Sequence, residues 1–293
     1  MTVNVDNIKK RLFTKKILKD MILLNESDYY KVIKPLQLVL INNLFARSVV
    51  EKKISGKIYV DDLVKPKTFY VVHPYGMGLL FGDCTNAEFN SNFKEYGLNC
   101  NYIRNSYEWM QTFPDEWNDT ISKLFGNKLV HSTENTKETG IIELNTRVNF
   151  KFDYAKYQSI KKIDDAIFEI KRSDANIYEN MPGTVVPKYF WKNADDFLEN
   201  GIGFSLLYEE HLAATVFSAF IHDDKLELGI ETVNEFRKKG LAKIACCAMI
   251  DYCIENRYEP IWSCRLENIA SYILAQKIGF DPISKTPYYR LSK

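Results

Sequence analysis

Leu226-Glu227-Leu228-Gly229-Ile230-Glu231-Thr232-Val233-Asn234-Glu235-Phe236-Arg237-Lys238-Lys239-Gly240-Leu241-Ala242 carries a strand, a basic turn and a helix start in immediate succession. Leu226, Leu228 and Ile230 alternate with Glu227, Gly229 and Glu231, which predicts one face in a core and the other looking into a site. Gly229 interrupts that second face, and a strand glycine marks a bulge or a close approach by a backbone or ligand. A bulge there would splay the strand from its neighbour and leave backbone groups free for an extended, amide-containing ligand. Arg237-Lys238-Lys239-Gly240 then opens an apolar run. Gly240 allows close backbone approach, the first N–H groups of a helix lack partners, and the helix dipole adds positive potential at the same place. With three cationic side chains the segment suits a pyrophosphate. Taken alone, the same residues also read as a basic turn capped by glycine.

Upstream, Gly203–Tyr208 and Leu212–Ile221, separated by Glu209 and Glu210, join Leu226–Thr232 as three antiparallel strands with tight turns. Downstream come a long apolar helix over Leu241–Glu255, a short strand over Ile261–Cys264 and a helix over Ile269–Ile278. Asn268 is placed to cap that last helix, and Gly279 ends it before Phe280. For Asn268 a cap and a ligand contact are both open, and the two roles are compatible.

The N-terminal half reads as mixed α and β: a helix over Glu26–Ala46 kinked near Pro35, strands over Lys57–Val60 and Thr68–His73, and helices over Ala87–Tyr96 and Glu116–Phe125. His73-Pro74-Tyr75-Gly76-Met77-Gly78 is a turn between apolar strands in preference to a phosphate cradle. His73, His131, His211 and His222 show no ligand-pair spacing and no adjacent nucleophile. The polar stretch Ser132–Gly140 is the linker candidate, giving an expected N-terminal domain over 1–131, a linker over 132–142 and a C-terminal domain over 143–293.

Composition narrows the function classes. With 39 Lys and Arg against 38 Asp and Glu, no global field draws the chain to nucleic acid or an anionic membrane, so neither is an expected partner. No run approaches a spanning helix, and the stretch through Asp6, Lys9, Lys10 and Arg11 lacks the apolar core of a signal peptide. A cytoplasmic location is the expectation. None of the six cysteines forms the short paired spacing of a zinc or redox site, so no metal is expected and the thiols read as small hydrophobes.

The run Glu231–Ala242, followed by Asn268-Ile269-Ala270-Ser271 and Lys277-Ile278-Gly279-Phe280, resembles in order and spacing the two acetyl-CoA motifs of the GCN5-related N-acetyltransferases, the GNAT superfamily. Pro260-Ile261-Trp262, Asp196-Phe197 and Gly201-Ile202-Gly203-Phe204 are similar to the subgroup that contains the zwittermicin A resistance protein, a likeness that extends faintly to Val60-Asp61-Asp62 and Leu80-Phe81-Gly82.

The resemblance implies an α+β chain: a C-terminal GNAT fold, with a mixed, mainly antiparallel central sheet flanked by helices, beside a smaller N-terminal domain of mixed α and β character that shapes the acceptor side. It implies an acyltransferase that moves an acetyl group from acetyl-CoA, as co-substrate, to a primary amine of a small molecule or peptide. Arg237, Lys238, Lys239, Gly240, Leu241 and Ala242 would hold the pyrophosphate through backbone N–H groups. Thr232 and Val233 would pair with the pantetheine arm, with Asn268 and Ser271 near its thioester end. The tyrosine common seven residues after this Asn is here Ala275, so the usual acid for the departing thiolate is missing. Glu231 is then the candidate base for the attacking amine, with a solvated strand carboxylate as the alternative. Tyr272 is the candidate replacement acid, with simple packing as the alternative. A CoA-binding module without turnover and a tandem GNAT-like aminoacyl transferase are the rival functions.

Overall fold

The computed structural model describes residues 21–132, 139–161 and 168–293, and its contacts divide the chain into two units. One comprises the chain through Asn145 together with Pro287–Lys293; the other is Thr146–Thr286. Residues 133–138 of the expected linker, and the basic N-terminal stretch around Lys9 to Arg11, lie outside the described residues.

In the first unit, β1 (Ile22–Leu23), β2 (Lys57–Val60), β3 (Thr68–Val72) and β4 (Met77–Gly82) run antiparallel in chain order. β5 (Glu108–Phe113) pairs parallel with β4, a connection that needs a crossover helix and has one in α3 (Ala87–Gly97). Asn86 caps that helix, its Oδ1 accepting from the Phe89 N–H at 3.0 Å. Phe89 and Phe93 of α3, with Trp117, Ile121 and Phe125 of α4 (Glu116–Phe125), cluster with Tyr70, Leu80 and Met110. The chain's last strand returns here, Tyr289–Leu291 pairing antiparallel with Glu108–Met110 of β5.

The helix expected over Glu26–Ala46 is instead a 3₁₀ turn at Glu26–Asp28, α1 (Tyr30–Gln37) and α2 (Leu44–Val50). Pro35 lies inside α1 and lacks the N–H that would continue the ladder, and the helix stops two residues later. The expected turn at His73–Gly78 is present, Gly76 N–H bonding to His73 O.

The second unit contains a five-stranded sheet in the order β12 (Glu259–Ile261), β11 (Lys225–Thr232), β10 (His211–His222), β9 (Gly203–Tyr208), β8 (Phe168–Arg172). Only the β11–β12 pair is parallel. Leu226 and Leu228 of β11, Val216 of β10 and Leu206 of β9 pack with Leu241, Ala245, Cys246, Met249, Ile250 and Cys253 of α8 (Leu241–Glu255). Cys246 and Cys253 are fully buried there as small apolar side chains, and burial pushes the Cys253 thiol up to about 12. The single strand expected over Ile261–Cys264 is two: β12 ends at Ile261, and after the buried Trp262 the chain enters β13 (Ser263–Arg265), which pairs with Arg147–Asn149 of β7 (Ile142–Phe152). α9 (Ile269–Lys277) follows, and β14 (Phe280–Leu291) closes the chain.

Candidate active site

β11 and β12 are in register only at Lys225–Glu227 against Glu259–Ile261. Beyond Glu227 the two chains part, because β13 pairs with β7 and not with β11. A fork therefore opens at Glu227, and its cause differs from the bulge expected at Gly229. The register shifts on this sheet fall on β10, between Leu212 and Ala214 and between Ser218 and Phe220. Gly229 serves packing: the Phe217 ring occupies the space over it, and a Cβ there would meet ring atoms at 2.5 to 3.0 Å.

Alternation along β11 fixes which backbone groups face the open edge. Val233 N–H donates to Ala213 O, so it points towards β10. Its carbonyl accepts from Phe236 N–H. Both polar groups of Val233 are thus engaged within the fold, whereas the period-2 pattern turns the N–H groups of Ile230 and Thr232 to the opposite edge. The Thr232 carbonyl accepts from Arg237 Nε at 3.1 Å.

The edge leads to the loop before α8. Lys238 and Gly240 both have left-handed backbone, at φ 65° and 79°. Alternating handedness of this kind gathers successive N–H groups into an anion-binding concavity. Gly240 is the N-cap of α8, no side chain caps the helix, and a Cβ at Gly240 would meet nothing within 4 Å. Unfilled space, uncapped N–H groups and a helix N-terminus thus coincide at one residue, which fits a diphosphate. The cationic side chains are arranged otherwise than the sequence suggested. Arg237 turns back to the Glu231 carboxylate at 3.1 Å, and Lys239 Nζ lies 5.2 Å from the centroids of both the Tyr208 and Phe236 rings.

Glu231 is buried, and its carboxylate accepts from Thr184 N–H at 2.8 Å, Val185 N–H at 3.0 Å and Arg237 at 3.1 Å. Through these bonds Glu231 ties the 184–185 segment to Arg237, in the loop that starts α8.

Glu227, four residues earlier on the same face and also buried, stands at the fork itself. Its Oε1 accepts from Ser263 Oγ at 2.7 Å, and Arg147 lies 3.6 Å away. Sequence reasoning placed Glu227 on the correct face and passed over it, because the fork arises from the change of partner at Trp262, which no local pattern announces.

On α9, Asn268 Oδ1 accepts from Ser271 N–H at 3.2 Å, so Asn268 is an N-cap. Tyr272 stacks obliquely on Phe150 with centroids 5.6 Å apart and joins the core periphery, and Ala275 is fully buried. His73 is buried in the first unit, where desolvation pushes its imidazole down to about 3. Among the described residues no group of His, Cys, Asp and Glu is arranged to hold a metal, and no helix is long and apolar enough to cross a membrane.

Comparisons with known proteins bear on the fold and the family. The chain is 24% identical over 249 residues to an uncharacterized N-acetyltransferase, YdfB, of Bacillus subtilis strain 168, covering 84% of this chain and 89% of that protein. Among solved structures, a GCN5-related N-acetyltransferase-like protein from Streptococcus suis superposes with a TM-score of 0.64 at 19% identity, over 90% of this chain and 99% of the other. A tandem GNAT protein from the clavulanic acid biosynthesis pathway superposes at 0.57 with 8% identity, over 93% and 98%. A GNAT-family acetyltransferase from Colwellia psychrerythraea superposes at 0.55 with 10% identity, over 93% and 99%. At these identities the structural likenesses speak for the fold. Residues 39–289 match the GNAT acetyltransferase family as a whole, and the chain accordingly belongs to that family, as an N-acetyltransferase.

Proposed function

We propose that the chain moves an acetyl group from acetyl-CoA to a primary amine by direct attack of the neutral amine on the thioester. The observation that carries this reading is the continuous path from the fork at Glu227, along the open edge of β11, to the uncapped left-handed loop at Gly240. The diphosphate of the donor would rest on the backbone of Lys238–Ala242, with Lys238 and Lys239 supplying field more than direct contacts. The amide groups of the pantetheine arm would pair with the edge at Ile230 and Thr232, replacing part of the Thr232–Val233 pair that the sequence suggested.

At the fork, Glu227 is the carboxylate placed to receive the proton of the attacking amine. Ser263, bonded to it, holds it in one orientation. Glu231 acts one step removed, by fixing Arg237 and the 184–185 segment. Asn268 and Ser271 border the thioester end through the start of α9, and Tyr272 is the hydroxyl on that helix available to the departing thiolate. The likeness to the subgroup of the zwittermicin A resistance protein belongs to this proposal, as does a small-molecule or peptide acceptor.

Isothermal titration with acetyl-CoA and with CoA tests the donor site, alongside Gly240→Asp. Aspartate tolerates left-handed backbone better than most residues and finds open space here, so the fold should survive while a carboxylate faces the diphosphate. Micromolar binding that falls at least about tenfold in the variant is expected. A folded wild type that binds neither ligand would overturn the assignment.

A further inference from the structure

Arg237 and Glu231 stand at the end of the open edge that is far from the fork, and together they close it. Thr232 lies opposite Ala214 of β10. Because Val233 N–H points to β10, strand alternation turns both polar backbone groups of Thr232 to the edge that β12 has left. The carbonyl there is taken: Arg237 Nε donates to it at 3.1 Å. The same guanidinium donates from Nη2 to Glu231 Oε1 at 3.1 Å. One side chain thus covers the stretch of edge that a pantetheine amide needs.

The two partners differ in freedom. The Glu231 side chain is 9% exposed, and its Oε2 accepts from the N–H groups of Thr184 and Val185. Gly183 lies so close over it that a Cβ there would meet Glu231 Cγ at 2.4 Å. The anion is therefore fixed. Arg237 is 56% exposed and opens the loop that leads to Gly240. Since Glu231 divides its bonds between its two oxygens, the guanidinium can leave Oε1 while the 184–185 segment stays tied to Oε2. Departure strips a largely buried carboxylate of its cation, which is unfavourable unless a competing anion sits close to the loop. A diphosphate is such an anion, and a guanidinium binds phosphate oxygens in pairs.

From this geometry, and resting on the donor site proposed above, we infer that Arg237 determines donor specificity. It closes the edge at Thr232 until a diphosphate draws it away, so the chain takes CoA thioesters and discriminates against the same acyl group on a bare or carrier-bound pantetheine arm. CoA joins in one molecule the diphosphate that moves the guanidinium and the amides that replace it at Thr232. A bare arm offers only a neutral amide in exchange for a charged donor. A carrier-bound arm ends in a single phosphodiester, a weaker competitor for the guanidinium than a diphosphate.

Isothermal titration of the wild type with CoA, with pantetheine, and with pantetheine at saturating inorganic pyrophosphate tests this, beside the same series on Arg237→Met. In the wild type, pyrophosphate should lower the Kd for pantetheine at least about threefold, because it holds Arg237 off the edge. In Arg237→Met the Kd for pantetheine should fall by a similar factor without pyrophosphate, and pyrophosphate should have no further effect. The ratio of the pantetheine Kd to the CoA Kd should shrink at least about tenfold in the variant, which has lost both the closure and the cation. A pantetheine Kd unchanged or raised in a variant that still binds CoA would overturn the inference, since a guanidinium that only adds field, or only packs, gives that result. A wild-type pantetheine Kd that pyrophosphate does not lower would overturn it as well, and that comparison stands even where the variant does not fold. A folded wild type that binds no CoA is the separate result that removes the donor site itself.

Discussion

Two buried charged clusters, one in each unit, are built on opposite terms. In the first unit the Glu108 carboxylate accepts from Tyr70 at 2.6 Å and Tyr96 at 2.7 Å. Arg104 donates to four carbonyls, of Tyr96, Gly97, Leu291 and Ser292, at 2.7 to 3.3 Å. Both ions are surrounded by short bonds from their own unit, and burial together with Glu108 pushes the Tyr70 and Tyr96 hydroxyls well above the usual tyrosine range. In the second unit Glu227 accepts from Ser263 at 2.7 Å with an Arg147 nitrogen 3.6 Å away, and Asn149 and Thr286 each keep a buried polar atom without a partner. A cluster saturated by its own chain contributes to stability. The second stands at the fork, where the transfer proposed above would take place.

The largest effect should come from opening the saturated cluster. Arg104→Met removes the donors that hold four carbonyls, including those of Leu291 and Ser292 at the end of the chain. Denaturant unfolding is expected to show a loss of about 3 to 5 kcal/mol, with kcat and KM of the remaining folded protein near wild type. A variant that kept its stability but lost turnover would dissolve the contrast, because the first cluster would then belong to the chemistry.

The two β11 carboxylates sharpen the same contrast within one strand. Glu227→Gln should lower kcat about 100-fold with acetyl-CoA affinity unchanged, the signature of a lost proton acceptor. Glu231→Gln leaves the backbone N–H groups of Thr184 and Val185 and the Arg237 guanidinium with a weaker acceptor, so it should cost about 1 to 2 kcal/mol in stability and spare most of kcat. Equal losses of kcat in the two variants would return Glu231 to the role that the sequence suggested.

How far these assignments were legible follows from what each element depends on. α4 at Glu116–Phe125, α8 at Leu241–Glu255 and the strands β9, β10 and β11 follow from periodicity and turn residues, which are local signals, and their predicted bounds agree within a residue or so. Asn268 as a cap and Gly240 as a left-handed residue follow from equally local rules. The long strand β7 also carried its signal, Ile142, Leu144, Val148 and Phe150 alternating with Glu143, Asn145, Arg147 and Asn149, all four of the latter buried. A buried row of polar residues does not read as a core face, and the strand went unrecognised. The fork was not legible. It exists because Ser263–Arg265 find their partner in residues more than a hundred positions earlier, and pairing of that range leaves no mark in a local window.

Asn268 offers the smallest effect and separates a cap from a contact. Its side chain accepts from Ser271 N–H, and loss of such a cap costs about 1 kcal/mol, so Asn268→Ala should lower Tm by a few degrees. Asn268→Asp keeps the capping oxygen and favours the helix dipole, so stability should be held or slightly raised. The two variants therefore diverge in Tm whatever the ligand does. For a residue that only caps α9, the Kd for acetyl-CoA stays near wild type in the aspartate variant, since the capping geometry is intact. For one that also borders the thioester end, the added negative charge and the lost amide donor weaken acetyl-CoA binding while Tm is unchanged. Tm and Kd moving together in both variants would instead mean that Asn268 acts on the donor solely through the folding of α9.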